Sequence, residues 1–381
     1  MAYFDNNATT RPNPEVQEAF EGALRESWSN PSSPYHSGAE VRVRLDRARE
    51  NVARTLQVGE EQVAFTSGAT EANNAVLAHA ANFFDSSARV VVSSIEHPSV
   101  LEPADHWFSG RALTVPVEPT GVVDTNRLRA LLEEVPEVRL VSLMAANNET
   151  GVLQPWGETT SLCRERGIHF HCDATQWVGK FPSSGFSACS SFSASAHKFG
   201  GPKGVGILVS ELANPFILGG NQENGRRSGT ENYPVIEATS VACEVIRSHL
   251  PEFSDRSSWR DSFEERMLFD FPGLQILGKE VPRLWNTSMF LLPDYENLRY
   301  VGKLDKLGFE VSTGSACSIG KDESPSVSLA MGFSTEQSQR LIRMSSYAEE
   351  TEDDWMSLAT AFCDARDELD EESSGSPVIS L

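Results

Sequence analysis

This sequence predicts an α/β fold with a mainly parallel sheet and a second, smaller α+β lobe, on three observations. The first is a series of short apolar, β-rich runs: "QVAFTSG" (62–68), "RVVVSS" (89–94), "VRLVSLMA" (138–145), "IHFHCD" (168–173) and "VGILVS" (205–210). Each leads through a polar or glycine-containing turn into a helical pattern, the alternation that a parallel sheet with crossover helices requires. The second is the helical spacing of Val41, Leu45, Ala48, Val52 and Leu56, one apolar stripe for packing on a sheet. The third is a change of texture near residue 251: helix 257–270, strand-like "LQIL" and "NTSMFLL", helix 295–307, strand "FEVST", and a last helix opening at "TEDDW". There Thr351 is the expected N-cap, and Glu352, Asp353 and Asp354 suit the positive end of the helix dipole.

At 381 residues the chain exceeds one small core, and a prior of about 150 residues per domain suggests two lobes. The expected division is a large lobe over 14–250 and a small one made of 1–13 and 251–365, with 366–381 an acidic, fraying tail. With 32 basic and 54 acidic residues the net charge is -22, which repels nucleic acid and anionic membranes. No run reaches the roughly 18 apolar residues of a membrane span. The opening "MAYFDNNATT" has neither a basic nor an apolar leader region, so a cytoplasmic location is expected. The six cysteines (163, 172, 189, 243, 317 and 363) form no C-x-x-C pair, so neither a zinc ribbon nor a disulfide framework is suggested.

In open parallel sheets ligands sit beyond the carboxyl ends of the strands, and there the polar residues collect. "TSGATEANN" (66–74) starts a helix with Ser67, Gly68, Ala69 and Thr70, whose free N–H groups and hydroxyls can hold a phosphate or simply cap the helix. "SIEHPSV" offers His97 and "MAANNETG" offers Asn147 and Asn148; taken alone, the first is commonly a structural hydrogen-bonder and the second a turn. Asp173, closing an apolar strand in "HCDATQ", needs a cationic partner. Lys198 follows Ser195 and His197 in the glycine-lined turn of "SFSASAHKFGGPKGVGILV" (191–209). A lysine, a strand-end carboxylate and a phosphate-ready helix start at one sheet edge match the needs of pyridoxal 5'-phosphate: a Schiff-base amine, an acid partner for the ring nitrogen, and phosphate donors.

These motifs, with "DNNATT" (5–10), "NPSSPYHSG" (30–38), "DATQWVGK" (173–180), "RRSGTEN" (226–232) and "STGSAC" (312–317), resemble in kind and order those of the cysteine desulfurases. These are pyridoxal-phosphate enzymes of the class V aminotransferase superfamily, and the resemblance runs from residue 3 to about 354. It implies the fold type I architecture, with a mainly parallel seven-stranded sheet in the large domain. It implies Lys198 as the Schiff-base lysine, Asp173 as partner of the pyridinium nitrogen, and His97 as the histidine that stacks on the ring and assists proton transfer. Gln176 and Asn147 fall beside the ring oxygen and substrate, and Ala69, Thr70, Ser195 and His197 at the phosphate. Thr230 matches the threonine that reaches the neighbouring subunit's phosphate, which implies a homodimer. Arg343 matches the arginine that grips the substrate carboxylate, a task its planar fork suits. Cys317 matches the nucleophile that takes sulfur from L-cysteine, leaving alanine and a persulfide for an acceptor protein of an iron–sulfur, tRNA or DNA sulfur pathway.

Two departures stand out. Tyr347 occupies the last position of "RMSSY", where the family usually has glycine, and the stretch from Cys317 to Pro325 is one residue longer than is common. Selenocysteine lyases, other class V aminotransferases and a non-catalytic sulfur carrier are the alternative readings. An aminotransferase has no use for a thiol in a run of small residues, and a carrier has none for Lys198, Asp173 and His97. The other five cysteines read as buried structural thiols.

Overall fold

The structure is a computed structural model, and it describes residues 1–210, 216–314 and 327–374. It opens with β1 (Ala2–Tyr3), α1 (Pro14–Glu26) and α2 (His36–Leu56). The large sheet comprises β2 (Val63–Thr66), β3 (Arg89–Ser93), β4 (Ala112–Val115), β5 (Val138–Ser142), β6 (His169–Asp173), β7 (Ser191–Ser195) and β8 (Gly206–Ser210). Helices α3 (Ala69–Phe83), α4 (Pro98–Trp107), α5 (Thr125–Glu134) and α6 (Trp156–Glu165) alternate with its strands. Helices α7 (Tyr233–Phe253) and α8 (Ser257–Asp270) lead to β9 (Gln275–Ile276), β10 (Thr287–Leu291) and α9 (Asn297–Lys306). Then come β11 (Phe309–Glu310), β12 (Ser312–Thr313), the short turns α10 (Val327–Ala330) and α11 (Thr335–Ser338), β13 (Leu341–Ser345) and α12 (Glu352–Ser373).

The large sheet has the order β2-β8-β7-β6-β5-β3-β4. Strands β4, β3, β5, β6 and β7 are mutually parallel, and β8 turns back antiparallel to both β7 and β2. Helices cover both faces, so the central strands are buried on both sides and read as continuous apolar runs. Strand β7, "SFSAS", is the exception in composition: its small side chains let α3 pack closely over it. The amphipathic stripe of α2 is buried as its spacing requires.

A smaller sheet, β12-β13-β10-β9, has its own core, in which Trp355 stacks edge-on against Phe4 at 4.7 Å and packs on Phe263 at 5.0 Å. "FEVST" divides into β11, parallel to β1, and β12, antiparallel to β13. Thr351 caps α12 as expected, its Oγ1 accepting from the Asp354 N–H. The segment from residue 366, expected to fray, is instead helical to Ser373. Leu369 is buried, and Lys303 on α9 holds Glu368 and Glu372 at 2.7 Å each, so this part of the tail has a partner surface. The remaining tail residues, 375–381, lie outside the described residues. Among those described, no helix is long and apolar enough to cross a membrane.

Tyr347 explains one departure. Its ring lies in the main core against Phe253 and Trp285, and its hydroxyl donates to the Gly179 carbonyl at 3.0 Å. Gly179 has φ +83°, and a Cβ there would sit 2.2 Å from that of Phe199, so the turn admits only glycine and the tyrosine pins it. Tyr347→Phe leaves that carbonyl without its donor and is expected to destabilise the fold by about 1–2 kcal/mol. Urea unfolding measures this, and an unchanged midpoint would show that the hydroxyl contributes nothing.

Candidate active site

The parallel strands β3, β5, β6 and β7 deliver their following residues to one cavity of about 540 Å³. Its wall includes Asn7, Ala69, Thr70, Glu96, His97, Asn148, Glu149, Asp173, Gln176, Ser195, His197, Lys198 and Arg343. Eight of the expected residues thus meet at the sheet edge from motifs far apart in sequence, and Arg343 joins them from the small sheet.

Lys198 ends the turn after β7, and its ammonium donates to the carbonyls of Asn7 at 2.6 Å and Ala8 at 2.8 Å. Gln176 donates to the same Asn7 carbonyl at 2.9 Å. Its own Oε1 accepts from Lys180 Nζ at 2.7 Å. Lys180 is fully buried, and its ammonium is held well below the usual lysine range by burial and then by Lys198 and Arg343. Asp173, at the end of β6, accepts from the Thr175 N–H at 2.9 Å and from the Asn73 amide at 2.8 Å.

The phosphate-type end is built by backbone approach. Ser195 pairs with Gly206 across the β7–β8 ladder, and Gly206 lies under Gly68 so closely that a Cβ would stand 2.3 Å from the Gly68 carbonyl carbon. The start of α3, with Ala69 and Thr70, is thereby brought beside Ser195 and His197. His197 has its Nδ1 3.2 Å from Thr9 Oγ1, and burial, with Lys198, Lys203 and Lys180 adding to it, pushes its imidazole down to about 4. Near neutrality it is therefore an uncharged hydrogen-bonder, and the positive charge at this end comes from Lys198 and Lys203. Pyridoxal phosphate fits this donor set: a cradle that excludes a Cβ, a lysine amine, and a strand-end carboxylate with free lone pairs.

His97 is the N-cap of α4, accepting from the Ser99 N–H at 3.1 Å. Its imidazole is lowered by burial, with Lys198 adding to this and Asp173 and Glu102 opposing it. Arg343 is buried on β13. One Nη donates to the Asn148 carbonyl at 2.9 Å and the other to Asp5 at 2.5 Å, while Nε has no partner among the described residues. Tyr347, four residues on, turns into the core and away from this arginine's partners.

Asn147 is a correction. It is fully buried behind the wall, and its amide is spent on the turn it starts: Oδ1 accepts from the N–H groups of Glu149 and Thr150, both at 3.0 Å. Asn148 faces the cavity instead. Thr230 is exposed and lines a separate cleft of about 210 Å³ with Ser67, Arg227 and Glu231, so within one chain it does not reach the cavity. Cys317 and the longer stretch to Pro325 lie outside the described residues. Cys163, Cys172, Cys189 and Cys243 are free and buried; Cys363 is only half-buried. Burial pushes all five thiols up, Cys163 and Cys243 to about 12 and Cys189 to about 11.

Sequence reasoning named Asn148 only beside Asn147 as a turn pair and missed Glu96, Glu149, Lys180 and the pairing of Asp5 with Arg343, although all lie inside or beside motifs it singled out. The signal was the carboxylates themselves: Glu96 and Glu149 flank His97 and Asn148 in otherwise apolar or small contexts.

The site defines a class before any comparison is made: an α/β enzyme whose sheet edge offers a lysine, a carboxylate and an anion cradle to a pyridoxal-type group. The chain belongs to the aminotransferase class-V family, which matches residues 2–358, and within it to the cysteine desulfurases. It is 37% identical over 362 residues to a cysteine desulfurase of Enterobacter agglomerans, covering 93% of this chain and 90% of that one. Among solved structures a NifS-like protein superposes with a TM-score of 0.88 at 33% identity, over 96% of this chain and 99% of the other. SspA in complex with cysteine superposes with a TM-score of 0.79 at 27% identity, over 91% and 98%.

Glu149 gives the site a pH signature. Burial pushes its carboxyl up from 4.5 to about 7, with Arg343 opposing. The native state therefore binds this proton more tightly than the unfolded chain, and stability falls as pH rises across that interval. Glu149→Gln, which cannot ionise, is expected to match wild type near the lower limit and to exceed it in stability above the upper one. Urea unfolding at both ends checks this; an equal difference at the two pH values would refute the raised carboxyl.

Proposed function

We propose that this cysteine desulfurase removes sulfur from L-cysteine with pyridoxal 5'-phosphate held in the described cavity. The observation that carries the reading is the convergence of Lys198, Asp173 and His97 on one cavity that Arg343 joins from the small sheet. When bound, the cofactor supplies an electron sink that weakens bonds in the amino acid attached to it.

The chain's own residues do the rest. Lys198 would be the amine that holds the cofactor's aldehyde, and it would carry protons at the reacting atoms. Asp173 would keep the proton on the ring nitrogen, Gln176 would serve the ring oxygen, and Ala69, Thr70, Ser195 and His197 would hold the phosphate. Arg343 takes the substrate carboxylate, for which Asp5 has fixed the guanidinium plane. The Cys317 thiolate attacks the sulfur of L-cysteine; the C–S bond breaks, the former carbon partner takes a proton to give alanine, and the sulfur stays on Cys317 as a persulfide. At an ordinary thiol pKa near 8.5 only a few per cent is thiolate at neutral pH, so a neighbouring base has work to do there.

The reading includes a homodimer in which the exposed Thr230 of one chain completes the partner's phosphate site, an acceptor protein that collects the persulfide, and a cytoplasmic location. It also keeps the lobes as 14–250 and as 1–13 with 251–365, so that Lys198 belongs to the large lobe and Arg343 to the small one. SspA, whose structure holds cysteine, supports the choice of substrate.

The test is alanine release from L-cysteine. Cys317→Ala is expected to keep the visible absorption of the bound cofactor and lose persulfide formation; full turnover in that variant would end the nucleophile assignment. Lys198→Ala is expected to lose the absorption of the lysine-linked cofactor, and its persistence would reassign the lysine. Arg343→Lys is expected to lower kcat/KM by roughly 10–100-fold, the scale of one lost charged hydrogen bond.

A further inference from the structure

Beneath the cavity lies Asn73, a fully buried residue of α3 with four side-chain partners. Its amide is 2.8 Å from Asp173 Oδ2 and 2.9 Å from Ser99 Oγ. Its carbonyl is 2.6 Å from Ser193 Oγ and 3.0 Å from His171 Nε2. The direction of each bond follows from the carboxylate. An ionised Asp173 can only accept, so the Asn73 group facing it is the NH2. The Asn73 oxygen then faces Ser193 and His171, which both must donate. The second amide hydrogen is spent on Ser99 Oγ. Ser99 keeps its own hydroxyl hydrogen for its remaining neighbour, His97 Nδ1, at 2.9 Å. That ring nitrogen also receives the Ser99 backbone N–H. A nitrogen that accepts two hydrogens carries none, so the imidazole proton of neutral His97 sits on Nε2.

We propose that Asn73 is a positioning residue for the desulfurase reaction, fixing the Asp173 carboxylate directly and, through Ser99, holding His97 as a neutral imidazole whose Nε2–H is the donor offered to the reactants. One amide thus sets the state of two groups on the wall. In an open parallel sheet these groups arrive after separate strands, β3 and β6, and Asn73 bonds to Asp173 directly and to His97 through Ser99. A proton on Nδ1 would confront the Ser99 N–H, and the Asn73 amide, taking one of the two hydroxyl lone pairs, favours the rotamer in which Ser99 donates to Nδ1. The charged groups acting on His97 are Asp173 from β6, Lys198 from the turn after β7, and Glu102 from its own helix.

The inference rests on the assignment of His97 and Asp173 to the site, and its test reads the imidazole rather than turnover. The full-length protein as purified, labelled with ¹⁵N in its histidine rings, reports tautomer and titration by long-range proton–nitrogen NMR; the His97 signals are those lost in His97→Gln. Wild type is expected to show the Nε2–H tautomer. Ser99→Ala and Asn73→Leu are each expected to raise the His97 midpoint by roughly half to one pH unit, a three- to tenfold gain in proton affinity, as the loss of one ordinary hydrogen bond implies. The double variant is expected to shift it no further than the larger single change, because Asn73 acts through Ser99. An Nδ1–H tautomer in wild type, an unmoved midpoint in either single variant, or additive shifts would overturn the proposal. Should Asn73→Leu fail to fold, the wild-type tautomer and Ser99→Ala decide it alone. A failure of the desulfurase reading shows separately, as no alanine from L-cysteine.

Discussion

The carbonyl oxygen of Asn7 is the constraint on which the rest of the site depends. It accepts from Lys198 and from Gln176, so the position of one backbone group sets the resting place of both. That group is itself held from the small sheet: the Asn7 amide nitrogen donates to the Thr287 hydroxyl at 2.9 Å, and the Asn7 N–H to Ser345 Oγ at 3.0 Å. Asp5, two residues earlier, holds Arg343, and Phe4 is buried in the small core. A short N-terminal strap therefore fastens the small sheet to the lysine turn of the large one. Because buried polar groups are costly unless paired, a shift of the strap would strand donors on both sides at once.

Charge in the cavity follows the same logic. Lys198 has two carbonyl partners, and Arg343 has a carboxylate and a carbonyl. Lys180 is fully buried with an amide oxygen as its hydrogen-bond acceptor, so burial first, and then Lys198 and Arg343, disfavour its ammonium. The imidazolium of His197 is disfavoured by burial first and by Lys198, Lys203 and Lys180 after it, and Glu96, fully buried beside Asp173, is pushed well above the carboxylate range by burial, with that neighbour adding to it. The site thus separates groups with charged or carbonyl partners from groups that burial and like charges hold neutral.

How much of this was legible in the sequence depended on whether a residue's role was local. Strands β3, β5 and β6 and the stripe of α2 were readable because burial on both faces, or on one helical face, writes a periodic apolar pattern. Lys198, Asp173 and His97 were readable because each follows a strand and sits in a motif. Strand β7 is less apparent from composition, since its serines are there to admit α3, and β4 is a short edge strand ending at Pro116. Asn147 and Asn148 illustrate the limit: two identical side chains in one turn, of which the backbone aims one at the turn's own N–H groups and the other at the cavity. The tail misled for a similar reason, since its acidic composition suits solvent equally well whether or not Lys303 and Arg299 stand opposite.

Asn73 shows what such a reading cannot reach. In sequence it is one of two asparagines in a helix start that also reads as a cap. Its importance comes from three-dimensional adjacency to residues 26, 98, 100 and 120 positions away. The direction of its bonds comes from a single ionised carboxylate. Once Asp173 is an acceptor, each polar group in turn has one remaining choice, and the sequence of choices ends at the ring nitrogen of His97. Proton positions in a buried network are thus consequences of its most strongly constrained member. The protonation state of this site is set below the cavity floor as much as within it.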